Sequence, residues 1–159
     1  MSITFNPIGI IHSPFQTLED MPIQPTSQAS QPGTVEIYPP YADGLKDLNG
    51  FSHIYLIYYL HCAAPYKLTV TPFLDTQPRG LFSTRAPCRP NAIGLSLVQL
   101  TRIEGRNLKI DRLDILDQTP LLDIKPYIPE FEPGENIRLG WLEQARGQVR
   151  TRKSDERFK

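Results

Sequence analysis

The segment from Gly80 to Ser96, GLFSTRAPCRPNAIGLS, holds the densest group of residues whose types suit ligand chemistry. Arg85 and Arg89 alternate with prolines, which stiffen the backbone between the guanidinium groups. Asn91 adds a polar amide, and a glycine three residues later permits a close backbone approach. Such a loop suits an anionic or polar ligand, for example a carboxylate or a phosphate. The alternative is an ordinary proline-rich connection with surface arginines.

A second group lies in the segment DQTPLLDIKPY, residues 117–127. Asp117 and Thr119 have the types that cap a proline turn. Asp123 and Lys125 are two residues apart, so in a strand they share one face. They form either a surface ion pair of little energetic worth or part of a site whose carboxylate accepts from a ligand hydroxyl or amine.

The histidines and cysteines indicate no metal site. His53 and His61 lie eight residues apart, which places them on one face if a single strand spans both. Two histidines without a third ligand make a poor metal site, so His53 is expected to be a satisfied, partly buried histidine, and the role of His61 stays open. The chain has two cysteines, Cys62 and Cys88, and no CxxC motif, so neither a disulfide framework nor zinc is expected.

Nucleotide-binding and hydrolase motifs are missing from the sequence. It has no GxGxxG, GxxxxGK[ST], HExxH or GxSxG, so Rossmann-type cofactor binding has no support. The formal net charge is zero, yet residues 79–112 carry seven Lys/Arg against two acids, and residues 146–159 carry six against two. These basic segments either form a phosphate-facing patch or solvate the surface.

The elements that must position these residues are short strands. Sixteen prolines and ten glycines separate β-branched and aromatic runs, which favours an all-β (mainly β) single domain, a barrel or sandwich, with a helical turn around 41–48. The strands are predicted at 3–11, 35–38, 52–60, 67–70, 80–83, 96–103, 108–115, 123–127 and 137–141. We expect the domain to span 1–144 and a basic tail to span 145–159. No secretory signal and no apolar run long enough for a membrane is visible, so we expect a cytoplasmic protein without membrane contact.

Six segments in this order resemble the TsaA-like family. They are IGIIHSPF at 8–15, PIQP at 22–25, GLKDLNGFSHIYLIYYLH at 44–61, GLFSTRAPCRPNAIGLS at 80–96, DQTPLLDIKPYIP at 117–129 and GW at 140–141. The resemblance covers roughly residues 5–141, and the arginine–asparagine loop and LLDIKPY are its specific parts. It implies a small closed or nearly closed β-barrel, a homodimer with its site near the subunit contact, and S-adenosyl-L-methionine as cofactor.

The implied activity is that of a tRNA (adenine-N6)-methyltransferase acting on threonylcarbamoyladenosine beside the anticodon, with tRNA as partner. Asp117 and Asp123 are the candidate catalytic residues, because a carboxylate near the adenine amine can orient it and accept its proton. The expected cofactor-binding residues are Gln24, Pro25, Thr26, Ser27, His61, Cys62, Arg85, Asn91, Leu95, Thr119, Pro120, Asp123 and Lys125. The expected substrate-binding residues are Arg89, Arg102, Arg106 and Lys109, with the tail residues Arg146, Arg150, Arg152 and Lys153 adding to tRNA affinity.

Two features leave alternatives open. The family usually has glycine where Gln118 stands, so the turn before Pro120 is expected to differ slightly. Some relatives carry a further C-terminal domain, so RNA docking is open. The same barrel fits a non-catalytic module that binds S-adenosylmethionine or RNA, or a methyltransferase with another substrate. Residues 83–112 are basic but contain no aromatic residue, which disfavours an RNA-stacking platform.

Overall fold

The computed structural model describes residues 1–19, 21, 31–132, 134–145 and 148, which form a mainly β structure. Its strands are β1 Gly9–His12, β2 Gln31–Ile37, β3 His53–Tyr59, β4 Thr69–Val70, β5 Arg79–Gly80, β6 Ile93–Glu104, β7 Asn107–Leu113 and β8 Thr119–Pro126. Six of them close an antiparallel barrel in the order β1-β2-β7-β6-β3-β8, and β4 and β5 pair separately. The predicted all-β barrel is confirmed. Short 3-10 helices occupy Pro39–Leu45, Leu48–Gly50, Leu81–Ser83, Pro129–Phe131 and Gly140–Ala145.

Alternation along the strands fills the barrel. In β3, Ile54, Leu56 and Tyr58 are buried, while the residues between them are partly exposed. β6 repeats this pattern, with Val98 buried and Leu95 exposed. The inward side chains of all six strands form one apolar core, because a small barrel is filled by its own side chains. A second, smaller cluster of Val70, Leu81, Ala86 and Cys88 supports the connection between β3 and β6.

A bulge in β8 decides which way the LLDIKPY segment faces. Tyr58 pairs with Leu121 but Ile57 pairs with Asp123, so Leu122 is an extra residue in β8. One added residue reverses the facing of every side chain that follows. Leu121 and Ile124 therefore belong to the core, and Asp123 and Lys125 lie on the outer wall. Without the bulge, the carboxylate of Asp123 would point into the apolar interior.

Several strand bounds differ from prediction. The first strand begins at Gly9, beyond Pro7, which has no N–H to donate to a neighbouring strand. The predicted strand at 80–83 is a two-residue strand followed by the 3-10 helix Leu81–Ser83, whose end is held by Thr84 Oγ1 donating to the Leu81 carbonyl at 2.8 Å. The predicted strand at 137–141 is wrong. Positive φ values of 56° at Asn136 and 58° at Gly140 interrupt extended backbone there.

The remaining strand predictions hold with shifted ends. β8 begins four residues before the predicted 123, and β2 begins at Gln31. β3 ends at Tyr59, so a shared strand face does not extend from His53 to His61. His53 is partly buried, lies 2.9 Å from Ser52 Oγ through its Nδ1, and packs edge-on against Tyr127, as expected of a satisfied histidine. In the described part of the chain, we find no helix with the length and apolar character to cross a membrane.

Gly94 shows how closely the core is packed. A Cβ at this position would lie 2.2 Å from Cε2 of Tyr58, whose hydroxyl is held 2.9 Å from Ser96 Oγ. We expect Gly94→Ala to lower the free energy of unfolding by about 1–3 kcal/mol, because the anchored ring cannot move aside cheaply. Urea denaturation measures this loss. The matched control is Gly44→Ala, which meets nothing within 4 Å. Equal effects of the two changes would contradict the packing explanation.

Candidate functional site at one end of the barrel

The strand order brings the predicted site segments to one end of the barrel. In an antiparallel barrel, successive connections alternate between the two ends. The connections β1–β2, β3–β6 and β7–β8 therefore meet at one end, which we call the loop end. His61, Arg85 and Asn91 lie in the β3–β6 connection, and Asp117 lies between β7 and β8. Segments far apart in sequence are joined here, as the prediction requires.

Arg89 holds its own loop together. Its Nη1 donates to the carbonyl of Thr84 at 3.0 Å and to that of Ala86 at 3.2 Å. The guanidinium carbon also lies 5.8 Å from the ring centre of Phe82, within cation–π range. Cys88 is buried beneath the same loop. Arg89 was predicted to bind substrate, which stays a prediction, and in the structure its guanidinium donates to carbonyls of its own loop.

Arg85 has a different environment from Arg89. Its side chain is exposed at the loop end. Its positive charge nevertheless acts on the interior, because it lowers the pKa of the Asp114 carboxyl and of the Tyr58 phenol, opposing the larger effect of burial. An exposed guanidinium on a stiff loop is placed to meet an anionic ligand. Of the two predicted arginines, Arg85 fits a ligand-binding role better.

Asp117 ties two connections of the loop end together. Its Oδ1 accepts from the backbone N–H of Ser13 at 2.8 Å, and its Oδ2 accepts from the amides of Gln16 and Gln118 at 3.2 and 3.3 Å. Its own N–H donates to the Phe15 carbonyl at 2.8 Å. Burial pushes the pKa of Asp117 upward, but these donors outweigh burial and hold the pKa below its usual value. A carboxylate with a low pKa and occupied oxygens is a weak proton acceptor.

Gln118, in the turn after Asp117, has φ 62°, in the left-handed region that glycine adopts most easily. Its side-chain Nε2 lies 3.2 Å from His12 Nδ1 and 3.3 Å from Asp117 Oδ2. The expectation that this turn differs slightly from one with glycine stays a prediction.

Thr119 connects the same turn to His61. Thr119 is buried, and its hydroxyl donates to the Leu116 carbonyl at 2.7 Å. His61 Nδ1 lies 3.4 Å from that hydroxyl, at the limit of a hydrogen bond. The predicted cofactor-binding residues Thr119 and His61 are thus brought together, with Thr119 supporting His61. Cys62, beside them in sequence, is exposed.

Three predicted cofactor-binding residues lie outside this group, on the barrel wall. Leu95 pairs with Ile57, which pairs with Asp123, so they form one outward row across β6, β3 and β8. Lys125 occupies the next row, and its Nζ lies 2.9 Å from Asp123 Oδ2. Asp123 Oδ1 accepts from the Ile124 N–H at 2.9 Å. Pro120 pairs with Ile10 near the loop end. The predicted residues therefore form two groups, one at the loop end and one on the adjacent outer wall.

The basic residues predicted to bind substrate lie at the opposite end, around the β6–β7 hairpin. Arg102 Nε lies 2.6 Å from Glu104, and Lys109 Nζ lies 4.0 Å from Glu104. Arg106 donates to the Ile37 carbonyl and lies 3.8 Å from Glu36. Each cation has an acidic neighbour, which weakens the positive field it presents to a phosphate. The structure does not bring these residues to the loop end.

Some predicted residues cannot be placed. Gln24, Pro25, Thr26 and Ser27, and the tail residues Arg146, Arg150, Arg152 and Lys153, lie outside the described residues. The β1–β2 connection that contains the first four begins and ends at the loop end. Within the described ranges, no group of three or more His, Cys, Asp or Glu side chains is arranged to hold a metal ion.

Two features of the site escaped the sequence analysis. Trp141 Nε1 donates to the Ser83 carbonyl at 2.9 Å, and Arg79 lies 5.8 Å from its ring centre, so residues after the barrel brace the loop of Arg85. Ser96 is buried and donates to Asp114 Oδ1 at 2.6 Å. Ser96 had a usable signal, because it is a polar residue at an inward position of an alternating strand. The position of Trp141 had none, since it depends on tertiary contact.

Comparison with known proteins identifies the family. Residues 10–133 match the family model described as the tRNA-methyltransferase O N-terminal domain. The chain belongs to the TrmO family. A probable S-adenosyl-L-methionine-binding protein of Pyrococcus abyssi is 49% identical over 158 residues, covering 99% of this chain and 86% of that protein. The tRNA (adenine(37)-N6)-methyltransferase of Escherichia coli is 38% identical, covering 91% of this chain and 66% of the enzyme.

Solved structures agree with the family assignment. A crystal structure of TrmO from Pseudomonas aeruginosa superposes with a TM-score of 0.72 at 36% identity, covering 89% of this chain and 63% of that chain. Another TrmO crystal structure gives a TM-score of 0.74 at 38% identity. The chain thus spans about two thirds of the TrmO chains it matches. The resemblance inferred from the sequence is confirmed at the level of family and fold.

The tie made by Asp117 predicts a dependence of stability on pH. Because its folded pKa lies below the unfolded value, Asp117 contributes stability above the unfolded pKa that is lost as pH falls through the folded pKa. We expect Asp117→Asn to cost on the order of 1 kcal/mol near neutral pH, where charge-assisted hydrogen bonds are lost. The cost should shrink as the pH falls below about 4. Thermal unfolding across a pH series measures both.

The control for this series is Asp43→Asn, which removes an exposed carboxylate from the 3-10 helix Pro39–Leu45. It should change the unfolding temperature little at any pH. If Asp117→Asn lowers stability by the same amount down to strongly acidic pH, the hydrogen bonds of Asp117 depend on the shape of its side chain and not on its charge.

Proposed function

We propose that this chain is an S-adenosyl-L-methionine-dependent methyltransferase that N6-methylates threonylcarbamoyladenosine at position 37 of tRNA, the position named for its E. coli relative. The observation that carries the proposal is the convergence of the Arg85–Asn91 loop and the Asp117–Thr119 turn at one barrel end. The family match over residues 10–133 supports it. A tRNA partner would place the protein in the cytoplasm.

The chemistry of the residues fits the proposed cofactor. Arg85 offers an exposed guanidinium for the carboxylate of the methionine part, and Asn91 offers an amide for hydrogen bonding. Leu95, half exposed, gives an apolar surface beside Ile57, and Asp123 offers a carboxylate for an amine or hydroxyl. The bound cofactor would supply a methyl group activated by a positively charged sulfur. We propose that Gln24–Ser27, His61, Cys62, Thr119, Pro120 and Lys125 line the remainder of the site.

The protein's part in the reaction would be alignment and proton transfer. The adenine amine is a weak nucleophile, so holding it in line with the methyl group contributes most of what the enzyme must supply. Asp123 is the better of the two candidate carboxylates for accepting the amine proton. Both carboxylates have hydrogen-bonded oxygens, but Asp123 lies on the outer wall in one row with Leu95, whereas the donors to Asp117 come from the connections that it ties together.

A single-stranded anticodon loop suits a site at a barrel end, because an unpaired base can be splayed out into it. Arg89 is proposed to serve this site by fixing the loop, as its contacts with Thr84 and Ala86 indicate. Arg102, Arg106 and Lys109, with the tail cations, remain proposed contacts to tRNA phosphates. Because Arg102, Arg106 and Lys109 lie at the opposite end of the barrel from the loop end, any contacts that they make would reach a different part of the RNA.

The second candidate is a protein that binds S-adenosylmethionine without transferring its methyl group. The observation that favours it is the description of the Pyrococcus relative as a probable S-adenosyl-L-methionine-binding protein, with no acceptor named. The two candidates differ in one respect only. A methyltransferase consumes the cofactor in the presence of the correct RNA, and a binding protein does not.

The first test combines binding with turnover. Purified protein should bind S-adenosylmethionine in calorimetry and convert threonylcarbamoyladenosine to its N6-methyl form in tRNA from a strain lacking the endogenous enzyme, read by nucleoside mass spectrometry. Arg85→Ala should weaken cofactor binding about tenfold to a hundredfold, the loss expected for a charge-assisted contact, with little change in unfolding temperature. Arg138→Ala, another exposed arginine, is the control. Binding without any methyl transfer would favour the second candidate.

We further propose that the active form is a homodimer joined through the outer wall of β6 and β3. Leu95, Ile93 and Tyr59 are 50%, 40% and 47% exposed, and cross-strand pairing places them next to one another. Contiguous exposed apolar surface of this kind marks a contact site. The opposite wall carries polar contacts, such as that between His12 Nε2 and Glu36 Oε2 at 3.1 Å. A second copy on the apolar wall would lie beside Asp123 and Lys125 and join the two groups of predicted residues.

Dimerisation is tested by Leu95→Glu. We expect a monomer in sedimentation velocity, because two buried carboxylates would face each other without partners, and we expect an unfolding temperature close to that of the wild type. Thr101→Glu places the same charge at an exposed position at the far end of the same strand and should leave the mass unchanged. A dimeric Leu95→Glu protein would rule out this wall as the subunit contact.

A further inference from the structure

A chain of hydrogen bonds runs through the interior below the loop end. Ser96 Oγ donates to Asp114 Oδ1 at 2.6 Å and lies 2.9 Å from the Tyr58 hydroxyl. Ser96 has one proton, and it is given to Asp114, so the Tyr58 hydroxyl must be the donor to Ser96. The direction Tyr58 to Ser96 to Asp114 follows. It links β3, β6 and the β7–β8 connection. None of these three side chains has a role in the reaction proposed above.

Ionisation of the Asp114 carboxyl lowers the stability of the folded protein. Burial raises the pKa of Asp114 to about 7, although the hydrogen bond from Ser96 and the charge of Arg85 oppose the shift. A folded pKa above the unfolded one means that stability falls as pH rises between the two values. Asparagine would accept the same hydrogen bond at no such cost. A carboxylate differs from asparagine here in the negative charge that it can carry, and that charge is what could serve a role in the site.

The position of Asp114 suggests that role. Ser96 lies two residues after Gly94 in β6, just beyond the loop of Arg85 and Asn91. Ser96 of β6 donates to the carboxyl, Tyr58 of β3 is joined to it through Ser96, and the charge of Arg85 in the β3–β6 connection acts on its pKa. Burial raises the pKa of Tyr58 far above its usual value, so the phenol stays neutral. Asp114 is the member of this group that changes charge near neutral pH.

We propose that Asp114 is a positioning residue for ligand binding at the loop end. Its negative charge restrains the exposed guanidinium of Arg85, and its hydrogen bond through Ser96 fixes the start of β6 beneath Asn91. Protonation removes the charge and leaves the hydrogen-bonded shape in place. Ligand affinity therefore rises with pH as the carboxyl ionises. The proposal rests on the proposed cofactor-binding function and adds a residue to that site.

The experiment is calorimetric titration of the full chain with S-adenosylmethionine at about pH 6 and about pH 8.5, on either side of the Asp114 pKa. The wild type should bind about tenfold more tightly at the higher pH, a small charge-assisted effect. Asp114→Asn should bind at both pH values with the weak affinity of the wild type at low pH. Its unfolding temperature at the higher pH should exceed that of the wild type, because the buried charge is gone.

Two further variants separate this explanation from others. His61 is another ionisable side chain at the loop end, close to Thr119. His61→Asn should retain the pH-dependent affinity, and loss of that dependence in His61→Asn would assign the effect to His61 and overturn the proposal. Ser96→Ala keeps the carboxylate but removes its link to β6, and should weaken binding at the higher pH. Ser96→Ala also tests the role of Asp114 if the Asp114→Asn variant fails to fold.

The outcomes are distinct. A wild type that binds no S-adenosylmethionine at either pH contradicts the proposed function itself. A wild type that binds with the same affinity at both pH values leaves that function standing and overturns the role of Asp114. Tighter binding by Asp114→Asn at the higher pH would also overturn it, because the carboxylate would then only screen the charge of Arg85.

Discussion

Closure of the sheet between β1 and β8 is the constraint on which the site depends. Gly9, Ile10 and Ile11 pair with Leu121, Pro120 and Thr119, and this seam fixes the order of all six barrel strands. Alternation of strand direction then sends the β1–β2, β3–β6 and β7–β8 connections to the same end. On its other side β1 approaches β2 closely at Gly9, where a Cβ would clash with the Glu36 backbone carbonyl. Residues more than a hundred positions apart, such as Ser13 and Asp117, become neighbours as a consequence.

In this barrel, one arginine and one aspartate support the local fold, while a second arginine and a second aspartate lie on the outer surface. Arg89 and Asp117 are satisfied by partners inside the chain, and they hold the loop and the turn in shape. Arg85 is exposed, and Asp123 faces outward because of the β8 bulge. Arg89 and Asp117 therefore stabilise the local fold, whereas the positions of Arg85 and Asp123 on the outer surface fit the ligand-binding roles we propose for them. Sequence types alone do not separate these two cases.

Features that depend on one segment alone could be predicted from the sequence, whereas features that depend on tertiary contacts could not. Alternating runs predicted β3, β6 and β7 closely, because an inward-facing apolar period is a property of each segment alone. The strand at 137–141 failed because residues there adopt positive φ, which the apolar pattern does not reveal. The role of Arg89 and the ion pairs of Arg102, Arg106 and Lys109 depend on neighbours brought by tertiary structure. The outward facing of Asp123 depends on one extra residue in the sheet, Leu122, which no local propensity marks.

The apolar interior of the barrel contains one group of hydrogen-bonded polar side chains. An inward row of apolar residues in β6 would be expected to continue through position 96, yet Ser96 stands there and is matched by Tyr58 and Asp114. Gly94 leaves room for the Tyr58 ring, so the packing around position 94 accommodates the side chain that begins this chain of hydrogen bonds. Replacing such a network with apolar residues is often neutral or stabilising in other proteins. Burial of the Asp114 carboxyl raises its pKa to about 7, so its ionisation near neutral pH lowers stability, and under our proposal the charge gained there acts on Arg85 in ligand binding.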